Sequence, residues 1–278
     1  MTAPTPEQRP DALPPLGDFI SPAAPQGAEY SFWEHLRELR ARLIKALLAI
    51  FPACLVAYEW SPEILSFLTK PLLRIMPEGQ GLIATALPET FLIHLKLSLW
   101  SGLFLSSPFW LYQLWAFAAP GLYRKERKAI VRLAAMAFIL LVLGAAFAYY
   151  TALPIGFKFL VGFGSSEVRI LPAIGDYLSL TTTLLLSFGL AFELPLFLMF
   201  LASVGLVNSA RLARFRPYAI VIIVTVAAFL TPPDVVSQIL MSIPMLGLYE
   251  LSLFLIRSKE RAREKALLKS EKEEGGAP

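Results

Sequence analysis

The sequence predicts an all-α, polytopic membrane protein of six spans, and three observations carry that reading. Of its 278 residues, 56% are hydrophobic and only 17% charged, against about 45–50% apolar and about 25% charged in soluble domains. Six apolar runs follow one another: Leu43–Tyr58, Phe91–Ala119, Ala129–Leu153, Tyr177–Val204, Tyr218–Thr231 and Val235–Ile256. A spanning helix needs about 20 residues, so the fifth run is short and must thin the bilayer or lean on its neighbours. The third observation is charge. Of 25 Lys and Arg, only Lys70, Arg74, Lys96, Lys158 and Arg169 fall in the loops after runs one and three or at their rims. The rest occupy the N-terminal region, the 121–132 turn, the 205–217 loop and the segment from Arg257 onward. Basic loops stay in the cytoplasm, so both termini are expected there.

Each element has a local reason. Residues 1–30 are rich in Pro and Ala without apolar period and read as a disordered cytoplasmic tail. They lack the basic start and apolar core of a secretory signal peptide. Ser31 and Glu34 fit a capping box, predicting a helix start there. Leu36, Leu39 and Leu43 then share one face and His35, Glu38 and Arg42 another, so an amphipathic turn leads into the first span. The loops Trp60–Thr90 and Pro154–Asp176 carry short apolar pieces, "PLLRIM" and "PIGFKFLVGF", expected to cap one membrane face. In "SSPFWLYQLWAFAAPGLY", Pro108 fits a kink, Pro120 a helix stop and the aromatics an interfacial belt. Pro232 and Pro233 make a stiff turn, and Asp234 fits the N-cap of the last helix. Residues 257–278 read as a charged, frayed cytoplasmic helix behind a transmembrane domain of residues 31–256.

Several functions are excluded by what the chain contains. A single cysteine, Cys54, forbids an intrachain disulfide and a thiolate zinc site. His35 and His94 lie far apart without ligand-type companions, so no metal or cofactor is expected. The chain shows no nucleophile–base constellation and no phosphate loop, which argues against an enzyme. Its cations flank apolar runs instead of clustering on a groove-binding face, which argues against nucleic acid.

Three acids require an explanation. Glu193, in "SFGLAFELPLFLMF", is expected near the centre of a span, where a charge costs about 2.5–3.5 kcal/mol on insertion scales. It serves either as a structural hydrogen-bonding group or as the polar point of a cavity facing a partner or an ion path. Pro195 frees a backbone carbonyl nearby and adds to that polarity. Glu38 can pair with Arg42 at i,i+4, and Glu126 can simply offset the basic residues of "YRKERK". A solute or ion transporter coupled through Glu193 is the alternative from another class; the lack of an internal repeat weighs against it.

Four ordered segments carry a resemblance: "HLRELRARL" (35–43), "SSPFWLYQLWAFAAPGLYRKERK" (106–128), "FELPL" (192–196) and "RPYAIVIIVTVAAFLTPPDVVSQILMSIPMLGLYE" (216–250). Together they resemble the TatC family, the polytopic core of the twin-arginine protein translocase, over about residues 31–256. The resemblance implies a glove-like six-helix bundle in the cytoplasmic membrane with no catalytic chemistry. Implied partners are twin-arginine signal peptides of folded cargo, single-span proteins of the TatA and TatB types in a hetero-oligomer, and membrane lipids, with export driven by the proton-motive force. Residue by residue, Glu38 and Glu126 match the acids that grip the arginine pair, with Arg40 and Phe117 supporting that surface. Glu193 matches the intramembrane acid of the concave face, and Pro232, Pro233, Asp234 and Gln238 match the outer element before the last span. A guanidinium offers a planar fork that a carboxylate receives bidentately, so two such acids can distinguish arginine from lysine. The basic flanks of Glu126 would repel that ligand unless they snorkel outward while Glu126 turns toward Glu38.

Overall fold

The computed structural model describes residues 27–76, 81–118, 127–162, 171–230 and 235–274. Glu126 and the Pro232-Pro233-Asp234 turn lie outside them. The chain divides into two compact units, residues 1–41 and 42–278. The described part of the first is the opening of helix α1 (Gly27–Glu59). That helix begins four residues before Ser31, so Ser31 and Glu34 lie within it and the expected capping box does not mark its start. Ala28 and Glu29 are good helix formers and extend it backward.

The second unit continues through α2 (Ser61–Leu73), α3 (Glu89–Leu105), α4 (Ser107–Ala118), α5 (Arg127–Phe147), a π-helical turn at Ala148–Ala152, α6 (Leu153–Val161), α7 (Ile174–Phe192), α8 (Leu194–Ser203), α9 (Ser209–Leu230) and α10 (Val235–Glu274). Among the described residues, extended pairing is limited to one bridge between Ile83 and Ala173. Among the described residues, five helical stretches are long and apolar enough to cross a membrane: Trp33–Glu59, Lys128–Val161, Ile174–Ser203, Ser209–Leu230 and Gln238–Lys269.

The second expected span is not one helix. It breaks at Ser106 into α3 and α4. Pro108 has no N–H for the Phe104 carbonyl, and the chain answers with a local turn in which the Phe109 N–H reaches Ser106 O at 3.0 Å. The Trp110 indole N–H donates to the Leu103 carbonyl at 3.0 Å, so the break costs fewer unsatisfied groups. The fifth run is longer than its apolar residues indicate. Helix α9 has 22 residues because Asn208 caps it, accepting the Arg211 N–H at 2.8 Å, nearly three turns before Tyr218.

At the end of the bundle expected to lie outside, α2 and α6 fold against α3 and α7. Leu68, Leu72, Leu97, Leu153, Phe157 and Tyr177 form one buried cluster there. Two phenols fasten α2: Tyr149 donates to Phe67 O at 2.7 Å and Tyr177 to Leu68 O at 2.6 Å. The two loops are stitched together by Ile83 N–H to Pro172 O (3.2 Å) and Ile174 N–H to Ile83 O (2.9 Å). A second cluster joins α4, α5 and α8 through Leu111, Trp115, Leu141 and Leu196. A third joins α8, α9 and α10 through Ile223, Tyr249, Leu253 and Ile256.

The charged segment after the last apolar run is helical, as expected. Helix α10 runs unbroken for 40 residues to Glu274. Just past its apolar part, the Lys259 ammonium donates to Ser203 Oγ (2.8 Å), and Glu260 accepts the Ser209 N–H at the start of α9 (3.0 Å).

Candidate functional site

The candidate residues divide between the units. Glu38 and Arg40 lie on α1 in the first unit; Phe117, Glu193 and Gln238 belong to the second. Phe117 is half-buried one residue before the end of α4, directly ahead of the segment that carries Glu126. Two residues not singled out in the sequence support that end. Gln113, buried on α4, accepts the Arg42 guanidinium of α1 at 3.4 Å, and Trp115 packs edge-on against Phe200 of α8 with centroids 5.4 Å apart. Gln113 had a readable signal: one amide among "FWLYQLWAF" must find a partner if it is buried.

Glu193 does not stand near the middle of a helix as expected. It is the hinge residue between α7 and α8, about two-thirds of the way along the apolar stretch Ile174–Ser203. Its N–H turns back to Leu190 O at 3.1 Å, while its carbonyl accepts the Phe197 N–H at 2.9 Å. Pro195 supplies no N–H toward Ala191 O, and this is the physical cause of the joint. One carboxylate oxygen of Glu193 is buried without a hydrogen-bond partner. Gln238 is placed differently. Its amide donates to Val224 O of α9 at 3.1 Å, tying α9 to α10 near the start of the latter.

Between α1, α2, α3, α4, α5 and α7 the second unit holds an apolar groove of about 570 Å³, walled by Trp60, Phe67, Trp100, Trp110, Leu141 and Tyr149 among others. Glu193 is not among its lining residues. The described residues include no cluster of three or more metal-ligating side chains. The arrangement offers apolar walls, which suit binding.

Comparison with known proteins decides the family. Residues 34–244 match the family model for the Sec-independent protein translocase protein (TatC). The chain belongs to the TatC family. The TatC protein of Halothiobacillus neapolitanus is 45% identical over 246 residues, covering 88% of this chain and 67% of that one. That of Escherichia coli K12 is 37% identical over 233 residues, covering 83% and 90%. A crystal structure of the twin arginine translocase receptor TatC superposes with a TM-score of 0.73 at 39% identity, over 80% of this chain and 98% of the other. This TatC protein is therefore a multi-pass inner-membrane component at the core of the twin-arginine translocase and not an enzyme. The solute-transporter alternative finds no support in these likenesses.

Proposed function

We propose that this TatC protein is the receptor that takes up twin-arginine signal peptides, with Glu38 and Glu126 as the acids that receive the arginine pair. The observation that carries the reading is its likeness, at 39% identity, to a structure of the twin arginine translocase receptor. The "HLREL" and "YRKERK" segments supply the two carboxylates, and a carboxylate binds a guanidinium in two parallel hydrogen bonds that an ammonium cannot imitate. Arg40 and Phe117 support this surface. Both termini lie in the cytoplasm, following the distribution of Lys and Arg, and residues 1–30 and 257–278 flank the membrane domain 31–256 on that side. All six apolar runs cross the bilayer, the second as the jointed pair α3–α4. Single-span TatA- and TatB-type proteins assemble on the bundle in a hetero-oligomer, with Glu193 facing a partner and the turn at Pro232, Pro233 and Asp234 together with Gln238 forming the outer contact. Export draws on the proton-motive force.

The test is a binding measurement on the full-length protein in mild detergent, with a twin-arginine signal peptide and its twin-lysine counterpart. Glu38→Ala and Glu126→Ala are measured alongside. The reading expects the arginine peptide to bind tightly, with the lysine exchange and each substitution weakening it. Equal binding of both peptides, or indifference to both substitutions, overturns it.

A further inference from the structure

Lys96 is a charge that neither the packing of the bundle nor the receptor reading uses. It is exposed, and it lies seven residues, about 10 Å, beyond the start of α3 at Glu89, inside an apolar run. A cation within a span is costly and needs a partner. Among the described residues no ion pair includes it, with Glu59 and Glu63 of the neighbouring helices α1 and α2 among the acids that stay apart from it. Glu89 is committed to Thr85, Ala86 and Gly175, and His94 turns to Ser61 at 2.9 Å.

Lys96, Trp100 and Leu103 follow at i, i+4 and i+7 and so share one side of α3. Trp100 and Leu103 line the apolar groove, which places Lys96 one turn beyond it, toward the end of the bundle that carries α2. Side chains on a helix tilt toward its N-terminus, and a lysine at such a depth extends its ammonium to the membrane surface. The groove below it has the depth of one leaflet. Its walls run from Trp100 to Trp110 and from Leu141 to Tyr150, each about 14–15 Å long, against a hydrocarbon core of about 30 Å.

The walls also distinguish between occupants. Three of their polar groups are already taken by backbone carbonyls: the Trp110 indole by Leu103, the Tyr149 hydroxyl by Phe67 and the Thr182 hydroxyl by Leu178. A helix about 10 Å across fills about 120 Å³ per residue, so a groove of about 570 Å³ holds only about five residues of one. A helix end seated there would leave backbone groups unsatisfied. An acyl chain has no such groups. Exposed Phe104, Leu105, Val142 and Tyr150 make the groove continuous with the lipid-facing surface.

We propose that this groove holds one acyl chain of an anionic phospholipid from the leaflet on the α2 side, with the lipid phosphate bound by Lys96. An ammonium binds phosphate as a point charge, and an anionic headgroup brings no cation of its own to compete. The site rests on the reading of α3–α4 as a jointed span.

The test uses the full-length protein in phosphatidylcholine nanodiscs that contain a small fraction of phosphatidylglycerol brominated along its chains, or the same fraction of brominated phosphatidylcholine. Bromine quenches indole fluorescence on contact, and the Trp100 signal is isolated by difference from Trp100→Phe. Brominated phosphatidylglycerol quenches Trp100 more than brominated phosphatidylcholine does. Lys96→Gln weakens this preference about fivefold, the scale of one cation near a lipid surface, and Lys96→Arg retains it. Ala146→Phe, which fills the groove and leaves Lys96 in place, removes it. Equal quenching by the two lipids, or indifference to Lys96→Gln, overturns the site alone. So does a preference that survives Ala146→Phe, because the lipid would then lie on the surface around Lys96 and leave the groove to a polypeptide. Absence of quenching even in fully brominated phosphatidylcholine overturns the span and the site together.

Discussion

The hydroxyl of Tyr149 donates to the carbonyl of Phe67 at 2.7 Å, and that carbonyl is the one Pro71, four residues later, leaves without its helical N–H. The two rings also stack, with centroids 4.4 Å apart. A proline inside α2 is thus made tolerable by a phenol from the π-helical turn, 82 residues along the chain. Tyr149→Phe keeps the ring and strands the carbonyl, at a cost of about 1–3 kcal/mol. In a Pro71→Ala background the backbone regains its donor, so the same substitution loses most of its effect. Thermal melting of the four proteins in one detergent gives the cycle. Equal losses in both backgrounds would refute the link between Tyr149 and Pro71.

Glu89 fastens the two loops at the same end. One carboxylate oxygen accepts the Thr85 N–H, the Thr85 hydroxyl (3.0 Å) and the Ala86 N–H (3.2 Å), and the other accepts the Gly175 N–H of α7 (3.0 Å). These donors, the Thr85 N–H foremost, hold its pKa below the ordinary 4.5 against a smaller opposing effect of desolvation. A lowered folded-state pKa means that the unfolded chain binds the proton more readily. The stabilisation is therefore present above the ordinary value and lost as the pH falls through the lowered one. Glu89→Gln is expected to flatten this acid limb of the stability profile while leaving the shape near neutrality unchanged. An identical acid limb in the variant would show that the clasp contributes nothing.

How far the sequence reveals this molecule depends on the range of each interaction. The apolar runs and the bend at Pro108 are local and legible, because hydropathy and a missing N–H act within one helix. The clasp is not: nothing near Glu89 in sequence announces Gly175, 86 residues on. The same holds for Arg42 and Gln113, whose pairing depends on how α1 and α4 lie together. The helical character of residues 257–274 is legible in their composition, but the partners of Lys259 and Glu260, Ser203 at the end of α8 and the Ser209 N–H at the start of α9, are not. At the candidate site, motif resemblance points to Glu38, Arg40, Phe117 and Glu193. Only the structure shows Glu193 to be a joint between helices, because a proline two residues on can be accommodated by a kink within one helix as well as by a break between two.

Helices α5 and α7 meet backbone to backbone at Gly144. A Cβ on Gly144 would run into the Phe188 carbonyl oxygen and come within 2.9 Å of the Gly189 Cα, both of them backbone that cannot rotate away. Small residues let membrane helices approach this closely. Gly144→Ala is therefore expected to force the pair apart at a cost of about 1–3 kcal/mol. Gly156→Ala, where an added Cβ meets nothing within 4 Å, should instead raise stability by up to about 1 kcal/mol through helix propensity. Melting temperatures moving in opposite directions would support this packing; a neutral Gly144→Ala would contradict it.

Glu193 combines two properties that pull apart. Its buried, unpartnered carboxylate oxygen is a standing cost to the folded bundle of about 1–3 kcal/mol, yet it occupies the joint of α7 and α8 assigned above to a partner contact. Glu193→Leu removes the unsatisfied atom and keeps much of the volume, so the isolated protein in detergent should melt higher than the wild type. If the acid serves the partner contact, the same substitution should lower export of a twin-arginine reporter in cells lacking their own TatC. A purely structural acid would show neither pattern: its loss would lower the melting temperature, and export would fall only as far as the amount of protein falls. Gln at this position separates the two effects further, since it keeps a polar group at the joint while removing the carboxylate. Export retained by Glu193→Gln and lost by Glu193→Leu would assign the role to hydrogen bonding; loss in both would assign it to the acid itself.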